Sequence, residues 1–175
     1  MKDGLRLGVL AACLMAGGAV HADVIDWMGW EVRPDTTGLK PVYLGVGITN
    51  DLLHFNAEVP TSYGSVYAKV GQFYDGKEVA GQVGWRYPYL LTGTDQNGYY
   101  LGGMLGHIQN DRLDGDRYNR FGGALELSYV WSNIHRLNAA SVAIGAGVEK
   151  TGDSGEKKRA KPTILFSYTF GVGAF

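Results

Sequence analysis

Three histidines in the body of the chain are the side chains best suited to acid–base chemistry. His54, His107 and His135 stand apart from one another, and none has a serine one or two residues further on. In a catalytic triad, the histidine base accepts the proton of a nucleophilic hydroxyl, and a carboxylate orients the histidine ring. His54 is therefore a weak catalytic candidate, and we expect His54 and Asp75 to lie near the same outer end of the predicted fold. His107 and His135 fit interfacial or turn positions.

Charged side chains inside otherwise apolar, alternating segments form a second set. Three are acidic and three are basic, which balances their sign: Glu58, Lys69, Glu78, Arg86, Arg120 and Glu126. A buried charge is costly unless it is paired. These six residues predict a polar network of salt bridges in a shared interior.

Metal and cofactor chemistry has little support in the sequence. The histidines are isolated, and no Asp-x-Asp-x-Asp-Gly loop of the calcium type occurs, so no metal and no cofactor is expected. The acidic run 111–116 is read as a solvated loop, with weak divalent binding as the alternative. Sixteen basic residues balance seventeen acidic ones, which argues against a nucleic-acid partner.

The start of the chain has the layout of a secretory signal peptide. Lys2 and Arg6 precede a short apolar run, and small residues lead to Ala22, so we expect cleavage after Ala22. An alternative is a lipoprotein signal with acylation on Cys13, the single cysteine. The predicted organisation is a signal peptide at 1–22, a periplasmic or interfacial segment at 23–38, and a β-barrel at 39–175.

The mature chain is organised by alternation with a period of two, which is typical of β-strands with two different faces. In the first segment Val42, Leu44 and Val46 share one face. Both faces of the fifth segment carry apolar residues, so its facing is left open. Eight segments follow this pattern: 40–49, 52–59, 63–74, 77–91, 99–108, 119–131, 138–149 and 163–175. They predict an all-β, eight-stranded antiparallel up-and-down transmembrane barrel.

The direction of the two faces decides between a membrane barrel and a soluble one. Segments longer than ordinary soluble strands, aromatic residues near segment ends such as Trp85 and Trp131, and small residues on the opposite face favour lipid outside. A soluble periplasmic lipocalin-like binding protein, with its apolar side chains inside, is the alternative. Eight strands leave little interior room, so the polar network is expected to plug the lumen, with a conducting path or a ligand site as the alternative.

Over residues 39–175 the chain resembles the small outer-membrane barrels of Gram-negative bacteria, with the architecture of the OmpA transmembrane domain and of OmpX. The most specific feature is the terminal ILFSYTFGVGAF, although Phe175 is out of phase with the apolar positions before it. The resemblance implies an outer-membrane location, contact with membrane lipid, recognition by the barrel assembly machinery and a structural or surface-interaction role. It also leaves a lipid A-modifying enzyme, of the acyltransferase or deacylase kind, as an alternative.

The segments between the predicted strands give three further expectations. The polar stretches 110–117 and 151–161 are expected to be outer loops. The cationic stretch 156–159 is suited to contact lipopolysaccharide phosphates or to act as a solubilising tip. Segment 23–38, which contains Trp27 and Trp30, fits a short interfacial helix or an extended periplasmic arm that ends by Pro34.

Overall fold

The structure is a computed structural model that describes residues 39–61, 63–74, 79–92, 97–113, 116–149 and 160–174; at 110–113, 116–119 and 149 it describes the backbone alone. The predicted leader, the acylation alternative and segment 23–38 lie outside the described residues. So do Asp75, Glu78, the cationic stretch 156–159 and Phe175. Expectations that depend on those residues stay predictions.

Eight antiparallel strands form one closed barrel, and each strand pairs with the next along the chain. The strands are β1 Val42–Thr49, β2 Leu52–Thr61, β3 Gly64–Phe73, β4 Val79–Leu91, β5 Gly98–Leu113, β6 Asp116–Ser132, β7 Arg136–Glu149 and β8 Lys161–Ala174. Pairing of β1 with β8 closes the barrel. No helix occurs among the described residues. The predicted fold class is confirmed: an all-β, eight-stranded antiparallel up-and-down barrel.

The observed strands follow the eight predicted segments, with one clear difference. β5 continues to Leu113 and β6 begins at Asp116, so the main chain pairs through Arg112 and Arg117. The expectation of an outer loop over 110–117 was therefore wrong. Polar side chains do not prevent a backbone ladder outside the core, because the hydrogen bonds are made by the main chain.

Apolar side chains cover the outside of the barrel and alternate with interior positions on every strand. On β1, Leu44, Val46 and Ile48 are exposed while Tyr43 and Thr49 are buried. β5, whose facing the sequence left open, turns Tyr100, Met104 and Ile108 inward. Tyr99, Leu101 and Leu105 of that strand face outward.

The interior is layered along the barrel axis. We call the end with the β1–β2 turn the turn end, and the end with the start of β1 and the finish of β8 the terminus end. Tyr43, Tyr100 and Val130 pack together near the terminus end. Leu52 and Phe73 pack near the turn end. Polar side chains lie between these apolar layers.

Candidate functional site

The buried charged cluster consists of Glu58, Arg86 and Glu126, which are at most 3% exposed. They come from β2, β4 and β6, strands that are not neighbours in the barrel. Arg86 Nη1 donates to both carboxylate oxygens of Glu58, at 3.0 and 2.9 Å. Its Nε and Nη2 donate to Oε1 of Glu126, at 3.3 and 3.2 Å. One guanidinium therefore links two carboxylates across the interior.

Hydroxyl groups complete the hydrogen bonding of the two carboxylates. Ser65 Oγ donates to Glu58 Oε1 at 2.5 Å. The Tyr67 hydroxyl and Ser128 Oγ donate to Glu126, the latter at 3.0 Å. Both carboxylates are thus held by several donors of the protein, which is the condition under which buried charge is tolerated.

A second group of side chains, which we call the hydroxyl chain, lies beside the charged cluster. Lys69 Nζ donates to Ser167 Oγ at 2.9 Å and to Thr49 Oγ1 at 3.4 Å. Thr49 Oγ1 lies 2.8 Å from Ser167 Oγ and 3.1 Å from His54 Nε2. The Lys69 ammonium stands 5.0 Å from the centroid of the Tyr67 ring, which connects the two groups. Lys69 is 1% exposed, and these two hydrogen-bond acceptors are neutral.

Three residues of the predicted charged set are joined by direct contacts. Glu58, Arg86 and Glu126 form the ion pairs described above. The Lys69 ammonium lies over the ring of Tyr67, whose hydroxyl donates to Glu126. Arg120, on β6, is buried at 2% exposure. Glu78 lies outside the described residues. The two carboxylates, Arg86 and Lys69 sum to zero formal charge, so this part of the interior is neutral as a whole.

The three histidines occupy unrelated surroundings. His54 is 2% exposed and belongs to the hydroxyl chain. His107 lies against Gly81, whose amide donates to its Nδ1 at 3.2 Å, and its ring meets Phe121 edge-on with centroids 5.6 Å apart. His135 is exposed in the β6–β7 turn. His54 therefore contacts a threonine hydroxyl and is buried near the turn end, two residues after β2 begins.

Sequence reasoning missed the neutral partners of these charges. Ser65, Tyr67 and Ser128 contact the charged cluster, while Thr49 and Ser167 contact Lys69. Each occupies an inward phase of its own strand, which is a signal that the sequence does contain. Their pairing with particular charges depends on the register of the strands, and alternation does not give that register.

The carboxylates of the charged cluster are held by several donors, whereas His54 Nδ1 and both side-chain polar atoms of Asn56 have no hydrogen-bond partner among the described residues. Glu58 accepts from Ser65 and Arg86, and Glu126 accepts from Arg86, Tyr67 and Ser128. The arrangement ties β2, β3, β4 and β6 together across the interior. In the described part of the chain, no three His, Cys, Asp or Glu side chains are grouped to hold a metal ion.

Comparisons with known proteins add no relative. No family model, no curated protein and no solved structure matches the chain. In the residues that the structure describes, no helix is long and apolar enough to cross a membrane. The fold is therefore established by the strand pairing of the chain itself.

Proposed function

We propose that this protein is an integral outer-membrane β-barrel with a structural or surface-interaction role, and that the polar network plugs its lumen. The observation that carries the proposal is the reversed distribution of polarity. Glu58, Lys69 and Arg86 are buried, whereas Phe55 and Leu125 are 74% and 78% exposed. A barrel that meets lipid on the outside is expected to have this distribution.

The extent of the apolar outer wall supports a lipid surround. Soluble monomers rarely expose continuous apolar patches of more than a few hundred Å². Here each of the eight strands presents large apolar side chains outward, for example Val46, Val70 and Ile144. A soluble lipocalin-like barrel would place these side chains inside, so the outer wall favours the membrane alternative.

Aromatic side chains on the outer face add support for a membrane interface at the terminus end. Near the terminus end, Tyr129 packs against Tyr99 and Trp131, with ring centroids 4.9 and 4.7 Å apart. Trp85 packs against Tyr87 and donates from its indole nitrogen to the carbonyl of Tyr63 at 3.0 Å. Amphipathic rings of this kind are enriched at the level of lipid headgroups.

The small size and the filling of the interior support a plugged lumen. An eight-stranded barrel is just wide enough to be filled by its own side chains. The bridge through Arg86 crosses that space, and apolar layers around Tyr43 and Leu52 lie toward the two ends. The seclusion of His54 in the hydroxyl chain is in keeping with a structural role for this residue.

Cell fractionation and gel mobility test the location. We expect the protein in the outer-membrane fraction of a Gram-negative host, with a shift in mobility on boiling. Recovery as a soluble periplasmic protein without such a shift would refute the proposal. The predicted signal peptide and the closed barrel together support an outer-membrane location over an inner-membrane one.

Single cysteines test which face meets lipid. Leu44→Cys and Val142→Cys place a thiol on the outer wall, and Ala143→Cys is the matched inward control, because Ala143 follows Val142 and is 4% exposed. A thiol reagent dissolved in the lipid phase should label the first two and leave the third unmodified. Labelling of Ala143→Cys alone would contradict a lipid-facing outer wall.

A further inference from the structure

A diagonal groove crosses the outer wall over strands β5, β6, β7, β8 and β1. Its volume is about 610 Å³. One side is a row of register partners that are neighbours from strand to strand: Tyr99, Tyr129, Ala140, Tyr168 and Ile48. Tyr99 lies near the terminus end and Ile48 near the turn end. The groove therefore climbs from one end of the barrel toward the other.

The second side is formed by outward residues of β6, β7 and β8 that lie two positions along the strand from the first row. Leu127, Val142 and Phe166 are register partners in β6, β7 and β8. The two rows are about 7 Å apart, since two residues of a strand rise by that distance. Ala140 presents only a methyl group between Tyr129 and Tyr168, which deepens the groove at its centre.

The floor of the groove offers little to a polar ligand. It is formed by Ser128, Ser141 and Ser167, which are inward positions between the two rows. Ser128 donates its hydroxyl proton to Glu126, and Ser167 contacts Lys69 inside the barrel. Among the described residues that line the groove, none is charged.

We propose that the diagonal groove holds one acyl chain of a membrane lipid. This inference rests on the proposed membrane location and deepens it by naming a fixed lipid contact. The groove belongs to the same apolar wall as Leu44 and Val142, so the surroundings that cover that wall also cover the groove. Five strands at a spacing of about 4.8 Å give a row about 19 Å long, which rises by about 12 Å along the barrel axis when the strands tilt by about 40°. One leaflet is about 15 Å deep, half of a hydrocarbon core of about 30 Å, so the groove fits within the depth of a single chain.

Ala140 provides a sharp variant with a matched control. Ala140→Leu places an isobutyl group in the centre of the groove, directed away from the interior. Ala146→Leu makes the same change on the same outer face of β7, outside the groove. Tyr168→Ala is a second variant, which removes a wall instead of filling the space. Heat-modifiable mobility verifies that each variant forms the barrel.

Photolabelling in vesicles tests the proposal. The full mature chain is reconstituted into phosphatidylethanolamine and phosphatidylglycerol vesicles that contain a phospholipid with a diazirine in its acyl chain. After irradiation, peptide mass spectrometry should find labelling of β6 to β8 residues in the groove several-fold above that of Val66 and Val83 on the far wall. Ala140→Leu and Tyr168→Ala should reduce the excess, and Ala146→Leu should preserve it.

The possible failures are distinguishable. Even labelling around an inserted barrel, or an excess that survives both groove variants, would overturn the fixed acyl chain and leave the membrane location standing. A chain that does not insert and shows no labelling would overturn both proposals.

Discussion

The phenol ring of Tyr67 lies across Gly84 of the neighbouring strand. The two residues are register partners in β3 and β4, and a Cβ atom built on Gly84 would overlap the ring and its hydroxyl. The absence of a side chain at residue 84 lets the ring lie along the inner wall. From there its hydroxyl reaches Glu126 and its face covers Arg86, with the guanidinium carbon 4.2 Å from the ring centroid. The charged cluster thus depends on a glycine that it does not touch.

Gly84→Ala should therefore lower the free energy of unfolding by about 1–3 kcal/mol, because overpacking displaces Tyr67 and breaks its hydrogen bond to Glu126. The measurement is the urea midpoint of the barrel refolded into phospholipid vesicles. Gly81→Ala is the matched control on β4, since its added methyl group would meet one carbonyl oxygen at an ordinary 3.5 Å.

A double-mutant cycle isolates the contact between Tyr67 and Gly84. In a Tyr67→Ala background the ring is gone, so adding Gly84→Ala should cost much less than it does in the original protein. In a Tyr67→Phe background the ring stays and most of the cost of Gly84→Ala should remain. Equal costs of Gly84→Ala in all three backgrounds would show that the ring is not what excludes a side chain at residue 84.

Removal of the Arg86 charge should be the most damaging single change in the interior. Arg86→Met leaves Glu58 and Glu126 buried without their common partner, and breaking a buried ion pair from one side typically costs about 3–5 kcal/mol. The urea midpoint in vesicles should fall accordingly, or the barrel should fail to form.

A neutralised background separates lost charge pairing from lost packing by Arg86. In Glu58→Gln/Glu126→Gln protein, Arg86→Met should cost clearly less, because no carboxylate is left unpaired. The same loss in both backgrounds would assign the role of Arg86 to its volume instead.

Lys69→Met should cost less than Arg86→Met in the same vesicle assay. Its two hydrogen-bond acceptors are the hydroxyls of Thr49 and Ser167, which already contact each other at 2.8 Å. Loss of Lys69 therefore leaves two groups that can satisfy one another, at a cost of about 1 kcal/mol per lost hydrogen bond. A cost equal to that of Arg86→Met would indicate that Lys69 neutralises the carboxylates directly.

The fold was largely predictable because alternation is a local property. In β1 and β8 every second residue is apolar, and that pattern alone gives a strand and its two faces. β5 resisted prediction because its interior positions Tyr100, Met104 and Ile108 are large and apolar, like its outer ones. They face inward to fill the apolar layers of the barrel, which is a requirement of the whole structure rather than of the segment.

The charged cluster was predictable in membership but not in connectivity. Glu58, Arg86 and Glu126 each interrupt an apolar pattern, and burial of charge implies partners. Which charges meet depends on register and on how the barrel closes, and both are set by contacts far apart in sequence. Tyr67 was missed for the same reason: its partner Glu126 is 59 residues away.

The side chain of Asn50 connects the end of β1 to β8, the strand pair that closes the barrel. It follows β1 with φ of 47°, a left-handed conformation that Asn tolerates better than most residues. Its Oδ1 accepts from the amide of Phe166 at 2.8 Å, and its Nδ2 donates to the carbonyl of Ile164 at 3.1 Å. Asn50→Gly keeps the backbone conformation and removes both bonds, so it should cost about 1–2 kcal/mol. Asn50→Ala should cost about 1 kcal/mol more, because it adds backbone strain.

Hydrogen exchange at the Phe166 amide should accelerate in both variants relative to the amides of β3, because this amide loses its hydrogen bond to the side chain of residue 50 at the seam between β1 and β8. Equal stability of the two variants would show that φ at residue 50 relaxes when the side chain is lost, and unchanged exchange at Phe166 would show that the main-chain ladder holds the seam by itself.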